Sequence, residues 1–162
     1  GIVNICYCLD LPELPLKGNY NPLSYKLYYR DTGLLIASLD DEAQEDLRKN
    51  QNFNTYKGAI YENIIADCFV KQGYELYYYK NEKSTIEMDF FVRDANSVVP
   101  VEVKANDNAT VSLNRLIDDE KFKEIKYGIK FCNKNIGYNG KFYTFPYFCV
   151  FFLKRYILEC KI

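Results

Sequence analysis

Ile86-Glu87-Met88-Asp89-Phe90-Phe91-Val92-Arg93 and Val98-Val99-Pro100-Val101-Glu102-Val103-Lys104 decide the reading of this chain. Both runs alternate as strands do, and the polar Arg93-Asp94-Ala95-Asn96-Ser97 between them reads as a turn. A β-hairpin over Ile86–Lys104 is therefore expected. In its second strand Val101 and Val103 point to one face, Glu102 and Lys104 to the other. A carboxylate and an ammonium on an otherwise apolar strand call for an explanation. With Asp89 on the same face, two carboxylates and a lysine converge at one end of the hairpin. Two hard oxygen ligands with room for water suit Mg²⁺ or Mn²⁺. A lysine beside them is suited to orient an attacking water or to steady charge developing on a phosphate.

Composition narrows the chemistry. At 162 residues and 48% hydrophobic the chain is long enough for one globular domain with a substantial core. The 16 Tyr and 11 Phe, without a Trp, read mainly as filling for amphipathic strands. Histidine is absent, which removes His-based acid–base chemistry, Ser-His-Asp or Cys-His catalysis and His metal sites. Carboxylates, lysine, tyrosine and cysteine remain. With 21 basic and 22 acidic residues the net charge is −1, which argues against tight autonomous nucleic-acid binding while permitting a local basic patch. The six cysteines lack Cys-x₂-Cys spacing, and free buried thiols in a cytoplasmic protein are expected. No signal peptide and no membrane-spanning run is visible. The chain opens on Gly1 rather than Met, as a fragment or cleaved chain would.

Taken in order, Ile2–Cys8 reads as a strand and Leu11–Pro22 as an irregular connector, with a boundary dividing residues 1–23 from 24–162. Tyr25–Arg30 reads as a strand, and Leu34–Asn50 contains a helix capped by Ser38 or Asp40. From Gly58 the apolar residues Ile60, Ile64, Ile65, Cys68 and Phe69 recur at helical spacing until Gly73. Glu62 sits on the flank of that stripe, either solvated or placed over the hairpin end as a third acidic group. Glu75–Tyr79 completes an antiparallel meander with the hairpin. A helix capped by Ser112 is expected to run to about Lys123, burying Leu113, Leu116 and Ile117. Tyr127–Phe131 and the uninterrupted apolar Phe145–Leu153 read as late strands, with Asn133–Asn139 a loop. No phosphate-binding glycine loop is present.

The order Asp89, then Glu102-x-Lys104, with Glu62 on a preceding helix, resembles the PD-(D/E)XK nuclease superfamily, although Met88 stands where that motif usually has proline. The resemblance implies an α/β (α+β), restriction-endonuclease-like fold with a mixed central sheet flanked by helices. It makes Asp89, Glu102 and Glu62 metal ligands and Lys104 a catalytic group. Four further stretches are Tyr25–Leu35, Gly58-Ala59-Ile60-Tyr61-Glu62-Asn63, Glu87-Met88-Asp89-Phe90 and Val99–Ala105, with Ser112-Leu113 following. They resemble the C-terminal domain of unknown function carried by prokaryotic AAA-type ATPases, over roughly Ser24 to the C-terminus. That resemblance implies preceding ATPase and winged-helix domains as partners, with Ile2–Leu16 the end of the winged-helix part. Three functions follow as expectations: a Mg- or Mn-dependent nuclease, an inactive nuclease-fold module that docks nucleic acid or protein, and a metal-free, tyrosine-rich interaction domain.

Overall fold

Val3-Asn4-Ile5-Cys6-Tyr7-Cys8-Leu9 alternates between two faces, and in the computed structural model it forms strand β1 (Val3–Leu9), with Asn4, Cys6 and Cys8 turned inward. The structure describes residues 1–51, 53–83, 85–107 and 109–159. Strand β1 pairs antiparallel with β2 (Tyr20–Tyr29) and parallel with β3 (Leu76–Lys80). With β4 (Glu87–Met88) these form a four-stranded sheet of order β2-β1-β3-β4. The expected connector Leu11–Pro22 is irregular only as far as a 3-10 turn at Leu16–Gly18, and β2 already begins at Tyr20. A boundary between residues 23 and 24 therefore falls inside a strand, and the first strand is an inner member of the sheet.

The second sheet has five strands in the order β5-β6-β7-β9-β8: β5 (Phe90–Arg93), β6 (Val98–Val103), β7 (Gly128–Cys132), β8 (Gly137–Tyr138) and β9 (Phe142–Pro146). β5 and β6 are antiparallel with Phe90 opposite Val101, and β6, β7 and β9 run parallel. The chain is thus a mixed α/β structure, but two sheets stand where one central sheet was expected. The expected meander breaks at Asp89, between β4 and β5. Continuing the register would place the Met88 carbonyl opposite the Val103 N–H; the Asp89 carboxylate accepts that N–H instead, at 2.7 Å, and β4 turns away to pair with β3.

Helices cover the two faces. Helix α3 (Phe53–Lys71) starts earlier than Gly58 and ends before Gly73, whose φ of 83° favours a residue without Cβ. It buries Ile65, Ala66, Cys68 and Phe69, and the Phe69 ring meets Phe90 at 5.5 Å and Phe131 at 6.5 Å between centroids. On the opposite face α4 (Val111–Asp118) packs Leu113 and Leu116 with Phe91, Val98, Tyr79 and Met88. Helix α4 stops short of Lys123, and Thr110 rather than Ser112 occupies its cap position.

The helix expected within Leu34–Asn50 is α2 (Asp41–Arg48), capped by Asp40, which accepts from the Ala43 N–H at 2.8 Å; a short helix that was not expected, α1 (Thr32–Ala37), precedes it, with Asp31 accepting from the Gly33 N–H at 2.6 Å. One further expectation changes. The apolar run Phe145–Leu153 is not a strand. β9 ends at Pro146, which has no N–H for a ladder, and the chain continues as a 3-10 helix (Tyr147–Phe152) into α5 (Leu153–Glu159). Val150, Leu153 and Ile157 turn inward at helical spacing, while Phe148, Phe151 and Phe152 face out. Cys6, Cys8, Cys68, Cys132 and Cys149 are free thiols, and Cys160 lies outside the described residues. Among the described residues no helix is long and apolar enough to cross a membrane.

Gly128 lets α4 close on β7, since a Cβ there would stand 2.5 Å from Leu113 Cδ1 and 3.2 Å from Ile117 Cδ1. Leu113 is fully buried and has nowhere to swing. Gly128→Ala is expected to destabilise the fold by about 1–3 kcal/mol, read as a lower midpoint in thermal or urea denaturation.

Candidate functional site

Glu102 lies on the α4 face of β6 with only 3% of its surface exposed, while Val99 and Val101 pack toward α3. Such a carboxylate needs compensation. One oxygen, Oε1, receives the Lys104 ammonium at 2.8 Å; the other, Oε2, is buried without a hydrogen-bond partner among the described residues. Burial drives the Glu102 pKa above the ordinary carboxylate range, against the pull of Lys104 and Lys130. Lys104 is itself held at the end of the strand. Its N–H donates to the Phe131 carbonyl at 2.9 Å, and its carbonyl accepts from the Tyr147 hydroxyl.

Asp89 is half-buried on the neighbouring chain segment, fixed by the Val103 N–H. Burial first, and then the Glu62 carboxylate, push its pKa up to about 7; Val103 N–H and Lys26 act against them, and Glu102 adds to the rise. Asp89 is therefore close enough to both other acids to feel their charge. Glu62 reaches the site from α3 and is itself engaged: the Tyr28 hydroxyl donates to its Oε1, and Lys26 Nζ lies 3.6 Å from the same oxygen. Lys26 also pairs with Glu87 at 2.8 Å. Burial opposes the charge on Lys26, yet Glu62 and Glu87 carry its pKa up to about 12, while burial and Glu62 push the Tyr28 hydroxyl upward.

Of the four expected residues, Glu102 and Lys104 pair directly, and Asp89 feels the charge of both Glu62 and Glu102. Among the described residues, however, no three Asp, Glu or Cys side chains are gathered closely enough to hold one ion. The donor chemistry fits a hard cation at Asp89 and Glu102, because Mg²⁺ commonly keeps several waters and takes only one or two protein carboxylates. Glu62, tied to Tyr28 and Lys26, is placed to set the charge around Asp89.

Four contributors escaped the sequence reading. Lys26 and Tyr28 share one face of β2, an alternation visible in Tyr25–Arg30. Lys130, buried on β7 in register with Glu102, reaches Asp107 at 2.7 Å, and a lysine inside Gly128-Ile129-Lys130-Phe131-Cys132 was as conspicuous as Glu102. Asn63, next to Glu62 and 2% exposed, accepts the Tyr29 N–H at 2.8 Å and donates to the Tyr29 carbonyl at 3.1 Å and to Thr32 Oγ1 at 3.2 Å. It satisfies the outer edge of β2 and locks α3 against it.

Residues 57–149, more than half of the chain, match the family of the domain of unknown function DUF4143. The chain belongs to that family. The matched segment holds Glu62, Asp89, Glu102 and Lys104, whereas Lys26 and Tyr28 precede it. No curated protein and no solved structure matches the chain.

The raised Asp89 pKa fixes a pH dependence. The folded protein keeps this proton to about pH 7, the unfolded chain only to about 3.8, so stability falls as pH rises through that window. Asp89→Asn retains an acceptor for Val103 and removes the charge. In chelator it is expected to be more stable than the unsubstituted protein by on the order of 1–3 kcal/mol at pH 8, the gain fading toward pH 4. Urea titrations across pH 4–8 measure it.

Proposed function

We propose that the chain hydrolyses phosphodiester bonds of nucleic acid with a divalent cation, Mg²⁺ or Mn²⁺, held by Asp89 and Glu102, as the nuclease-like module of an AAA-type ATPase. The observation that carries this reading is Glu102 Oε2, a buried carboxylate oxygen without a hydrogen-bond partner among the described residues, beside an oxygen already paired with Lys104. A buried anionic oxygen without a donor is destabilising unless something else completes it, and a hard cation is the natural complement. The order Asp89, Glu102-x-Lys104 agrees with the PD-(D/E)XK pattern, and the Lys26–Leu35 and Gly58–Asn63 segments support the ATPase association.

Such an ion, when bound, polarises a phosphoryl oxygen and lowers the pKa of a water bound to it. The protein's own groups supply the rest. Val103 holds one oxygen of Asp89, and the other is the one that Asp89 would offer to the ion. Lys104 opposes the rise that burial imposes on the Glu102 pKa and presents an ammonium where a phosphate would develop negative charge. Tyr147 and Phe131 fix the backbone on either side of that lysine. Glu62, through Lys26 and Tyr28, sets the potential felt by Asp89.

One observation favours the alternative of a docking module without hydrolysis: Glu62 is committed to Lys26 and Tyr28, which leaves two carboxylates for the cation. Calorimetric titration with Mn²⁺, with and without oligonucleotide, separates the two. Binding that weakens about ten-fold or more in Glu102→Gln is the expected result. Lys104→Ala is expected to keep Mn²⁺ binding while cleavage of labelled DNA or RNA oligonucleotides falls about 10²–10³-fold. Absence of Mn²⁺ binding under both conditions assigns the fold to docking.

A further inference from the structure

Lys130 borders the carboxylate site but has no role in the reaction described above. It stands in register with Glu102 on the neighbouring strand and, two residues after Gly128, on the same α4-facing side of the sheet. Its side chain is 5% exposed, and its charge is felt at Glu102. The ammonium nonetheless runs out to the rim, as lysines with buried stems do, and Asp107 Oδ1 accepts from it there at 2.7 Å. The other oxygen of the same carboxylate, Oδ2, lies 3.6 Å from Lys134 Nζ. Asp107 thus bridges two ammoniums from the exposed end of the pair.

The bridge has the form of an occupied anion seat. Two ammoniums converge on two oxygens of one anion, as they would on the non-bridging oxygens of a phosphodiester. Other lysines border it: Lys104 comes three residues before Asp107, and Lys57 donates to Asn106 Oδ1 at 3.3 Å. Asp107 is the only acid in the sequence from Ala105 to Ile117, so it is the carboxylate that masks this basic patch in a chain of net charge −1. Nucleic acid offers a phosphate at every nucleotide, and a strand reacting at Asp89 and Glu102 brings others past the adjoining seat. Lys130, and after it Lys134, hold the Asp107 carboxyl below the ordinary carboxylate range. A phosphodiester that takes its place therefore exchanges one singly charged anion for another, and the buried Lys130 keeps a counter-charge in either state.

We propose that Lys130 and Lys134 bind a backbone phosphate of the nucleic acid, and that Asp107 occupies their seat until the strand displaces it. This rests on the nucleic-acid reading above, though not on the cation or on hydrolysis. It is tested in EDTA with the full chain, by the anisotropy of a short fluorescein-labelled DNA oligonucleotide, single-stranded and duplex. Asp107→Asn is expected to bind about ten-fold more tightly than the unsubstituted protein. Asp118→Asn removes the same charge from an exposed pair with Lys141 and is expected to change binding by less than about three-fold. Combined with Lys130→Met, the gain from Asp107→Asn is expected to vanish. Should Lys130→Met not fold, as read from its urea midpoint, Lys134→Gln at the exposed end of the seat replaces it. The slope of log K against log salt is then expected to fall by about 1 from that of Asp107→Asn. The proposal is overturned if Asp107→Asn binds no more tightly than Asp118→Asn, or not at all up to about 100 µM protein. It is equally overturned by a gain that survives Lys130→Met, or by a salt slope that Lys134→Gln leaves unchanged. Any of these with Mn²⁺ binding intact removes the seat and leaves the carboxylate site standing, whereas loss of Mn²⁺ binding with the Asp107→Asn gain present does the reverse.

Discussion

Asp89 sits where the chain leaves one sheet for the other, and its burial within the field of two further acids constrains everything around it. By taking the Val103 N–H, its carboxylate ends the β5–β6 ladder and releases β4 to the other sheet. The same carboxylate feels Glu62 on one side and Glu102 on the other. Without Lys26 and Lys104 three acids would crowd a half-buried region, and mutual repulsion would push them to protonate or to turn outward. The two lysines answer Glu62 and Glu102, burial raises the pKa of Asp89, and Glu102 Oε2 is left without a hydrogen-bond partner among the described residues.

Burial separates this arrangement from an ordinary surface ion pair. An exposed Glu–Lys pair contributes ~0–1 kcal/mol and has little consequence. Glu102 is nearly inaccessible, so its desolvation has to be offset locally, and one lysine contact at one oxygen does that only in part. Lys130, equally buried on the adjacent strand, adds positive potential from behind while its own charge is met by Asp107 on the loop after β6. The polar face of β6 and β7 is therefore a graded set of charges embedded in an apolar layer formed by α4 and the sheet.

How much of this was legible depended on the range of each interaction. Glu102 and Lys104 stood out because two charges interrupt an apolar strand within three residues, a local signal. Lys130 carried the same signal, a charge inside an apolar strand, but its Asp107 partner comes from a loop on another segment. The break at Asp89 rests on an N–H fourteen residues further on, and no local pattern announces it. Phe145–Leu153 failed for another reason. A short, wholly apolar run has no periodicity to distinguish strand from helix, and Pro146, with no donor for a ladder, settled it. Helix α2 was legible from its Asp40 cap and the acidic residues that follow it, whereas the six-residue α1 after Asp31 was not.

The adjacency of Glu62 and Asn63 on α3 explains why the N-terminal strands belong to the site. Asn63 binds both backbone groups of Tyr29, so the helix is keyed to β2 at one register. One residue earlier, Glu62 then meets the Lys26 and Tyr28 side chains that β2 presents on a single face. Sliding β2 by one residue would turn both side chains to the other face and leave Glu62 unbalanced beside Asp89. The Asn63 clamp therefore does more than secure an edge strand: it fixes the charge on the acidic cluster from outside the segment that carries Asp89, Glu102 and Lys104. A site whose electrostatics span both sheets in this way is coupled to the packing of β2, and any partner that shifts that strand changes the potential at Asp89.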